Sequence, residues 1–450
     1  MSTKTIEQLQ KESENSANYY AEHLAEVNNT NSVITTEEII NKDKIPLVKK
    51  GTRINNDVIQ RILKHKLSKP LENMVNIENK VEKDSLLNHF NLVLEKYPDL
   101  KQLHQSIGYE KAFKTQVQSY IVPPLITQKL TVFSQQFSRE FEQTLLCTLL
   151  AVNIAHTIKL SKDQLVTTYL AGLTHDLGLL HIPPETVKDK ENFTSARWRS
   201  IKTHVITGYL FINDLGPTYK DTAIAVLEHH ERYDGTGYPL AKKTKEISII
   251  GQIIGMADSL QSIRMLQLEE AGRNLRYTLP FIKMNFTTFS ETLYRATITV
   301  ISTVSEDSQP VYSFNNYTEL AQHLIKRGEK LNNANTIVRL LYQLSIELNL
   351  SKDGLEVINQ MVPFDKMIRQ SGLIEEHVDR WLAHVIDTED YNPLNELCEL
   401  ELMQNELYWQ LKKVRNSFSY FLEQEPNAGP DNMMRHLFNV AASINDYLKT

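Results

Sequence analysis

Apolar residues along this chain recur mostly at spacings of three and four rather than in alternation, so helices are expected to dominate. Residues 135–159 carry Phe137, Phe141, Leu145, Thr148, Val152 and Ala155 at helical spacing, the mark of a long buried helix. Ser161 and Gln164 form a capping box for the next helix, which ends in Thr174-His175-Asp176-Leu177-Gly178 with Gly178 as its stop. Thr194 is expected to cap a helix through Ile201, His204, Val205 and Leu210. Asp221 caps another, through Ala223, Val226, Leu227 and His230, and Ser248 opens a fourth that carries Asp258. Farther on, residues 394–422 place Leu400, Met403, Leu407, Leu411, Val414, Phe418 and Phe421 on one stripe. Such a stripe reads as the core of a helical bundle, the alternatives being a homodimer seam or a partner groove. Two alternating stretches, 296–304 and 311–314, suggest a minor hairpin.

The pattern divides the chain. Residues 1–45 are polar with a modest helical pattern at Ile6, Leu9, Tyr19, Tyr20 and Leu24, a mobile or helical arm. Residues 46–122 combine a short extended piece at 45–48, a turn at Gly51 and helical segments at 56–65 and 86–97, an accessory domain of unread role. Pro123 and Pro124 disfavour helix just before them and set a boundary. A central helical domain at 125–280 follows, then a helical domain at 281–450. The expected class is therefore all-α, with a small mixed N-terminal domain and a helical C-terminal domain.

Composition narrows the function. At 450 residues the chain can bury a large core unaided. Lys and Arg total 49 against 55 Asp and Glu, a net charge of −6, so no basic excess exists to bind DNA or RNA generically. Cys147 and Cys398 are the only cysteines, each in an apolar helical pattern, which excludes a disulfide framework and a cysteine zinc site. The N-terminus lacks an apolar run and no stretch is long enough to span a bilayer, so a soluble, cytoplasmic protein is expected. Nine of the 15 glycines fall between 172 and 272, so that region needs close backbone approach or unusual turns.

The same region holds the chemistry. Six of the 14 histidines lie between 156 and 230, and His175, Asp176, His204, His229, His230 and Asp258 fall on four separate predicted helices. Imidazole and carboxylate suit Fe, Mn, Zn or Ni. A carboxylate can also bridge two ions about 3.5–4 Å apart, the separation used to hold a phosphoryl group and activate water. Bundle cores commonly build such sites from facing helices. After His229-His230 come Glu231, Asp234 and the turn Gly235-Thr236-Gly237-Tyr238-Pro239, whose glycines and proline set a specialised backbone and whose tyrosine can stack on a base or on the turn.

His175-Asp176 followed by His229-His230-Glu231-Arg232-Tyr233-Asp234-Gly235-Thr236-Gly237-Tyr238-Pro239 resembles the HD-GYP family, a branch of the HD-domain metal phosphohydrolases, over about residues 130–275. The resemblance implies an HD-type helical bundle holding iron or manganese and hydrolysing the second messenger cyclic di-GMP to pGpG or GMP. By position it implies His175, Asp176, His204, His229, His230 and Asp258 as metal ligands, with Asp176 bridging and His175 and Asp176 catalytic. Glu231 would orient an imidazole. Asp234, Gly235, Gly237, Tyr238 and Pro239 would form a substrate or partner loop. Several family positions differ here: Gln143 for a further histidine, Leu179 for a lysine, and Gln261, Gln267 and Glu270 for an aspartate and two basic residues. Arg264 or Arg273 could substitute as phosphate contacts. The expected centre is asymmetric, with one or two ions. Three readings stay open: a phosphodiesterase acting on cyclic di-GMP, a catalytically impaired module that binds partners such as diguanylate cyclases, and, disfavoured by so complete a Gly-Tyr-Pro turn, an HD hydrolase acting on a different phosphoester or nucleotide.

Overall fold

A computed structural model describes residues 19–188, 195–305, 314, 316–348, 350, 354–355, 358, 361–388, 393–424 and 426–448. Helices dominate and the described strands form only two short antiparallel pairs, so the all-α class expected from the spacing is the one observed. None of the described helices is long and apolar enough to cross a membrane. The chain packs as two compact units, one built from the described residues of 1–192, 196–266 and 288–304, the other from those of 193–195, 267–287 and 305–450.

In the first unit, helix α1 (Tyr19–Val27) buries Tyr20 and Leu24 completely. Strand β1 (Val33–Thr35) pairs antiparallel with β4 (Val75–Ile77), Val33 opposite Ile77, and β2 (Ile39–Ile40) pairs with β3 (Pro46–Val48). Gly51 takes the left-handed turn conformation at φ +77°. Helix α2 (Asn56–Ile62) is capped by Asn55, whose side chain accepts from the Val58 amide. Helices α3 (Lys83–Lys96), α4 (Pro98–Ile107) and α5 (Glu110–Ser119) follow. Pro124 opens α6 (Pro124–Gln136) at the position where its missing amide costs nothing. The Lys129 side chain on α6 is wholly buried, with Nζ 3.9 Å from the Tyr20 ring centroid, 2.9 Å from His181 Nε2 and 3.6 Å from Glu72 Oε1. Burial pushes this lysine down and Glu72 opposes that shift.

The core of this unit is α7 (Ser138–Thr157), α8 (Lys162–Thr174), α11 (His204–Asn213), α12 (Lys220–Glu228) and α13 (Ile249–Ile263), packed on one another. The capping box at Ser161 and Gln164 is present, and Ser248 caps α13 by accepting from the Gly251 amide. Between α8 and α11 lie a 3₁₀ turn (Leu177–His181), α9 (Pro184–Lys188) and α10 (Ser195–Lys202).

Several local expectations are corrected. The helix expected to run through His204 breaks at Thr203, and its proposed cap, Thr194, lies outside the described residues. Asp221 sits in the first turn of α12 while Tyr219 occupies the cap. Gly178 is not a helix stop but part of the 3₁₀ turn, where a Cβ would lie 2.0 Å from the His204 carbonyl oxygen. The hairpin is absent at 296–304, most of which lies in helix Glu291–Ile301, because threonine and isoleucine alternate there on a helix that buries Leu293, Thr297, Val300 and Ile301. Its other half, 311–313, lies outside the described residues.

The second unit contains Leu279–Met284, the helices Tyr317–Ser345, Met361–Ser371 and Glu376–Asp387, then Leu394–Gln424 and Asp431–Leu448. The expected stripe is its core: Leu400, Leu407, Leu411, Val414, Phe418 and Phe421 are buried together and Met403 packs against them. Glu406 is buried beside this stripe, accepting from Gln410 Nε2 at 2.7 Å and Asn285 Nδ2 at 3.3 Å. Burial pushes its carboxyl up to about 7. A carboxyl raised by folding favours its protonated form, so its contribution is present at acid pH and is lost as pH rises from the unfolded value of 4.5 through about 7. Glu406→Gln keeps the shape and removes the charge. Relative to wild type it is expected to gain roughly 3 kcal/mol of stability between pH 4 and pH 8, at about 1.36 kcal/mol per unit. Urea unfolding of both proteins at the two pH values checks this; a pH-independent difference would refute it.

Candidate metal centre

Helix ends supply five of the six predicted residues and the middle of α13 supplies the sixth. His175 and Asp176 directly follow α8, His229 and His230 directly follow α12, His204 opens α11, and Asp258 projects from within α13. The C-terminal ends of α8 and α12 carry partial negative charge and so favour a cation beside them. Two groups of potential ligand atoms form, each with all atoms within 4.8 Å of one another: Asp176, His204, His229 and His230, and His175, Asp176 and Asp258. Asp176 belongs to both.

The rings are locked from behind. His175 Nδ1 donates to the Gly172 carbonyl at 2.8 Å, His204 Nδ1 to Ile201 at 2.6 Å and His229 Nδ1 to Val226 at 2.7 Å. A carbonyl only accepts, so each Nδ1 holds a proton and each Nε2 turns inward, as a lone pair wherever the ring is neutral. Burial, and for His229 the neighbouring imidazoles, push His204 and His229 below 6.5, so both are neutral at pH 7. Their Nε2 atoms nevertheless face each other at 3.3 Å. Two lone pairs at that distance repel unless a cation lies between them. His175 Nε2 is buried without a hydrogen-bond partner, 3.3 Å from Asp176 Oδ2 and 3.9 Å from Asp258 Oδ1. Against its burial, the two carboxylates hold His175 up at about 9, so in the absence of a metal a proton takes the cation's place. Asp176 stays ionised, held low by His175, His204 and His229 in spite of its burial. This donor set of neutral imidazole and carboxylate fits a divalent transition metal.

The loop after His230 folds back on the helix end that precedes it. Gly235 takes φ +83°, the Tyr238-Pro239 bond is cis, and the Tyr238 amide donates to the His230 carbonyl at 3.1 Å. Gly237 lies against the Arg232 amide. Asp234 accepts from the Thr236 amide and hydroxyl, within its own turn. Glu231 does not orient an imidazole: its carboxylate accepts from the amides of Leu240 at 2.6 Å and Lys242 at 2.9 Å, fastening the exit of the loop. Burial raises Glu231 to about 6. Tyr238 stacks on His230, centroids 4.7 Å apart and planes 24° apart.

The altered family positions are also placed. Leu179 and Gln143 are buried. Gln261 Nε2 donates to Asp258 Oδ1 at 3.0 Å, fixing that carboxylate. Gln267 and Glu270 are exposed. Both candidate substitutes have other partners: Arg264 is paired with Asp99 at 2.7 Å over the Tyr97 ring, and Arg273 is paired with Glu401 within the second unit. Both are taken up by structural ion pairs.

Sequence reasoning missed Glu228, Arg232, Trp198 and Lys202. Buried Glu228 accepts from the Ser248 amide and pairs with Lys242, and Arg232 donates to the His229 carbonyl at 3.1 Å. Trp198 and Lys202 reach Tyr238 from α10. The only advance signal for this last pair was their helical spacing of four, just before His204.

Comparison with known proteins agrees with this geometry. The family model described as the HD domain matches residues 121–286. A cyclic di-GMP phosphodiesterase of Thermotoga maritima is 30% identical over 115 residues, 25% of this chain and 31% of its own. The 3'3'-cGAMP-specific phosphodiesterase 3 of Vibrio cholerae is 29% identical over 130 residues, 29% of this chain and 27% of its own. The cyclic di-GMP phosphodiesterase PdeB of Borreliella burgdorferi is 30% identical over 115 residues, 26% and 30%. The chain thus spans under a third of the length of each of these relatives. With two metal-ready groups sharing the aspartate of its His-Asp pair, residues 121–286 form an HD domain, and the relatives it matches support the resemblance to the HD-GYP family.

Proposed function

We propose that this protein is a metal-dependent phosphodiesterase that hydrolyses cyclic di-GMP, with residues 125–280 as the catalytic domain. The observation that carries the reading is the pair of inward lone pairs on His204 and His229, 3.3 Å apart beside the Asp176 carboxylate. His204, His229, His230 and Asp176 would hold one divalent cation, and His175, Asp176 and Asp258 a second. Iron or manganese bound there supplies the positive charge and Lewis acidity that phosphodiester hydrolysis requires.

The chain's own residues perform the rest. Backbone carbonyls fix three imidazoles, so the ligands need no reorganisation when charge develops. Gln261 steadies Asp258, and Glu231 holds the loop closed beside His230. Burial of His175, His204 and His229 keeps bulk water from the ligand side of the centre.

Mn²⁺- or Fe²⁺-loaded protein is expected to convert cyclic di-GMP to linear pGpG or GMP. Purified protein is expected to hold one or two ions per chain by elemental analysis, and His204→Ala fewer. A second reading rests on Leu179 being buried and on Arg264 and Arg273 being paired elsewhere, which leaves the scissile phosphate without those cations. In it the protein binds cyclic di-GMP or a partner such as a diguanylate cyclase without turnover. Product formation at any metal loading decides for the first reading, and binding of the dinucleotide without product for the second.

A further inference from the structure

Three of the four histidines in the centre are held by backbone carbonyls, but His230 is not. Its ring lies among the rings of His204, His229 and Tyr238, with Nδ1 4.0 Å from Asp258 Oδ2, and no hydrogen bond to a carbonyl fixes it. Tyr238 is the one of these rings that lies outside the ligand set. Tyr238 is in turn met from α10. The Trp198 ring lies 5.7 Å from it at 76°, an edge contact, and Lys202 Nζ sits 6.0 Å from its centroid. Trp198 and Lys202 are four residues apart, on one face of the helix. That helix is anchored independently by Arg197 Nε, which donates to the Thr186 carbonyl at 2.7 Å.

We propose that Trp198 and Lys202 are positioning residues that hold the His230 imidazole in the metal centre by bracing Tyr238 against it. This rests on the reading of His230 as a metal ligand. An imidazole kept in place by stacking is free to turn about χ2 unless the stacked ring is itself confined. Trp198 supplies the large, rigid edge that confines it, and the Lys202 ammonium adds attraction to the tyrosine face. The three carbonyl-bound histidines need no such brace.

Mn²⁺ affinity of the full chain, measured by titration calorimetry, tests the proposal. Trp198→Leu keeps an apolar side chain without the aromatic edge and is expected to weaken Mn²⁺ binding about tenfold, the lower end for loss of a partner that orients a ligand. Trp198→Phe is expected to restore affinity to within about threefold, and Lys202→Met to cost about twofold to fivefold. The thermal midpoint of the metal-free protein is expected to stay where it is, which a general structural role would not allow. His230→Ala separates the two claims. If His230→Ala binds Mn²⁺ as wild type does, the ligand reading fails and takes the inference with it. If His230→Ala weakens binding and Trp198→Leu does not, or if Phe and Leu weaken it equally, the inference alone is overturned.

Discussion

Asp176→Ala is expected to empty the centre of metal and to remove at least about 10³-fold of phosphodiester hydrolysis, equivalent to roughly 4 kcal/mol of transition-state stabilisation. The size follows from position. Asp176 is the one side chain common to both ligand groups, with Oδ1 3.3 Å from His204 Nε2 and 4.0 Å from His229 Nε2, and Oδ2 3.3 Å from His175 Nε2. Its loss removes a ligand from each group and takes from the facing His204 and His229 lone pairs the carboxylate nearest to them. Asp258→Ala touches only the group with His175 and is expected to spare the other. Elemental analysis and product assays on the two variants check this. Full metal content in Asp176→Ala would contradict the shared role.

Gly178→Ala is expected to be the most damaging change made without touching a ligand. A Cβ at this position would meet the His204 carbonyl oxygen at 2.0 Å and its carbonyl carbon at 2.7 Å, far inside contact distance. Those atoms are backbone at the head of α11, so relief requires moving the turn after Asp176 away from the residue that supplies His204. Overpacking of this kind costs about 1–3 kcal/mol, and more where backbone is struck. The measurable result is a lowered thermal midpoint together with weakened Mn²⁺ binding. A variant that melts and binds as wild type does would show that the turn can shift freely. The reason for this glycine is thus the close approach of two chain segments, where the sequence suggested a helix terminus.

The fold class and the core helices were legible because they depend on local rules. The capping box at Ser161 and Gln164 and the Ser248 cap are satisfied within a few residues of themselves, and the apolar stripe of Leu394–Gln424 shows its helical period locally although other helices bury it. The expected hairpin failed for the converse reason. Alternating β-branched residues at 296–304 suit a strand in isolation, but burying Leu293, Thr297, Val300 and Ile301 on one helical face outweighed that preference. Glu231 followed its loop: although His230 is its neighbour in the chain, the turn brings the amides of Leu240 and Lys242, nine and eleven positions on, to its carboxylate.

The sequence by itself marked the six side chains proposed as metal ligands, because imidazole and carboxylate in four helical stretches, together with a Gly-Thr-Gly-Tyr-Pro turn, form a pattern that survives without coordinates. Only the tertiary structure decided that these groups divide into two sets sharing Asp176, that Arg264 and Arg273 are drawn into ion pairs with Asp99 and Glu401, and that Trp198 stands behind Tyr238. Residue type limits what a group can do locally. Which lone pairs face one another, and which charges are already neutralised, depends on contacts between segments as much as 165 positions apart, as in Arg264 and Asp99. No local pattern encodes those distances, since they are set by how the helices pack.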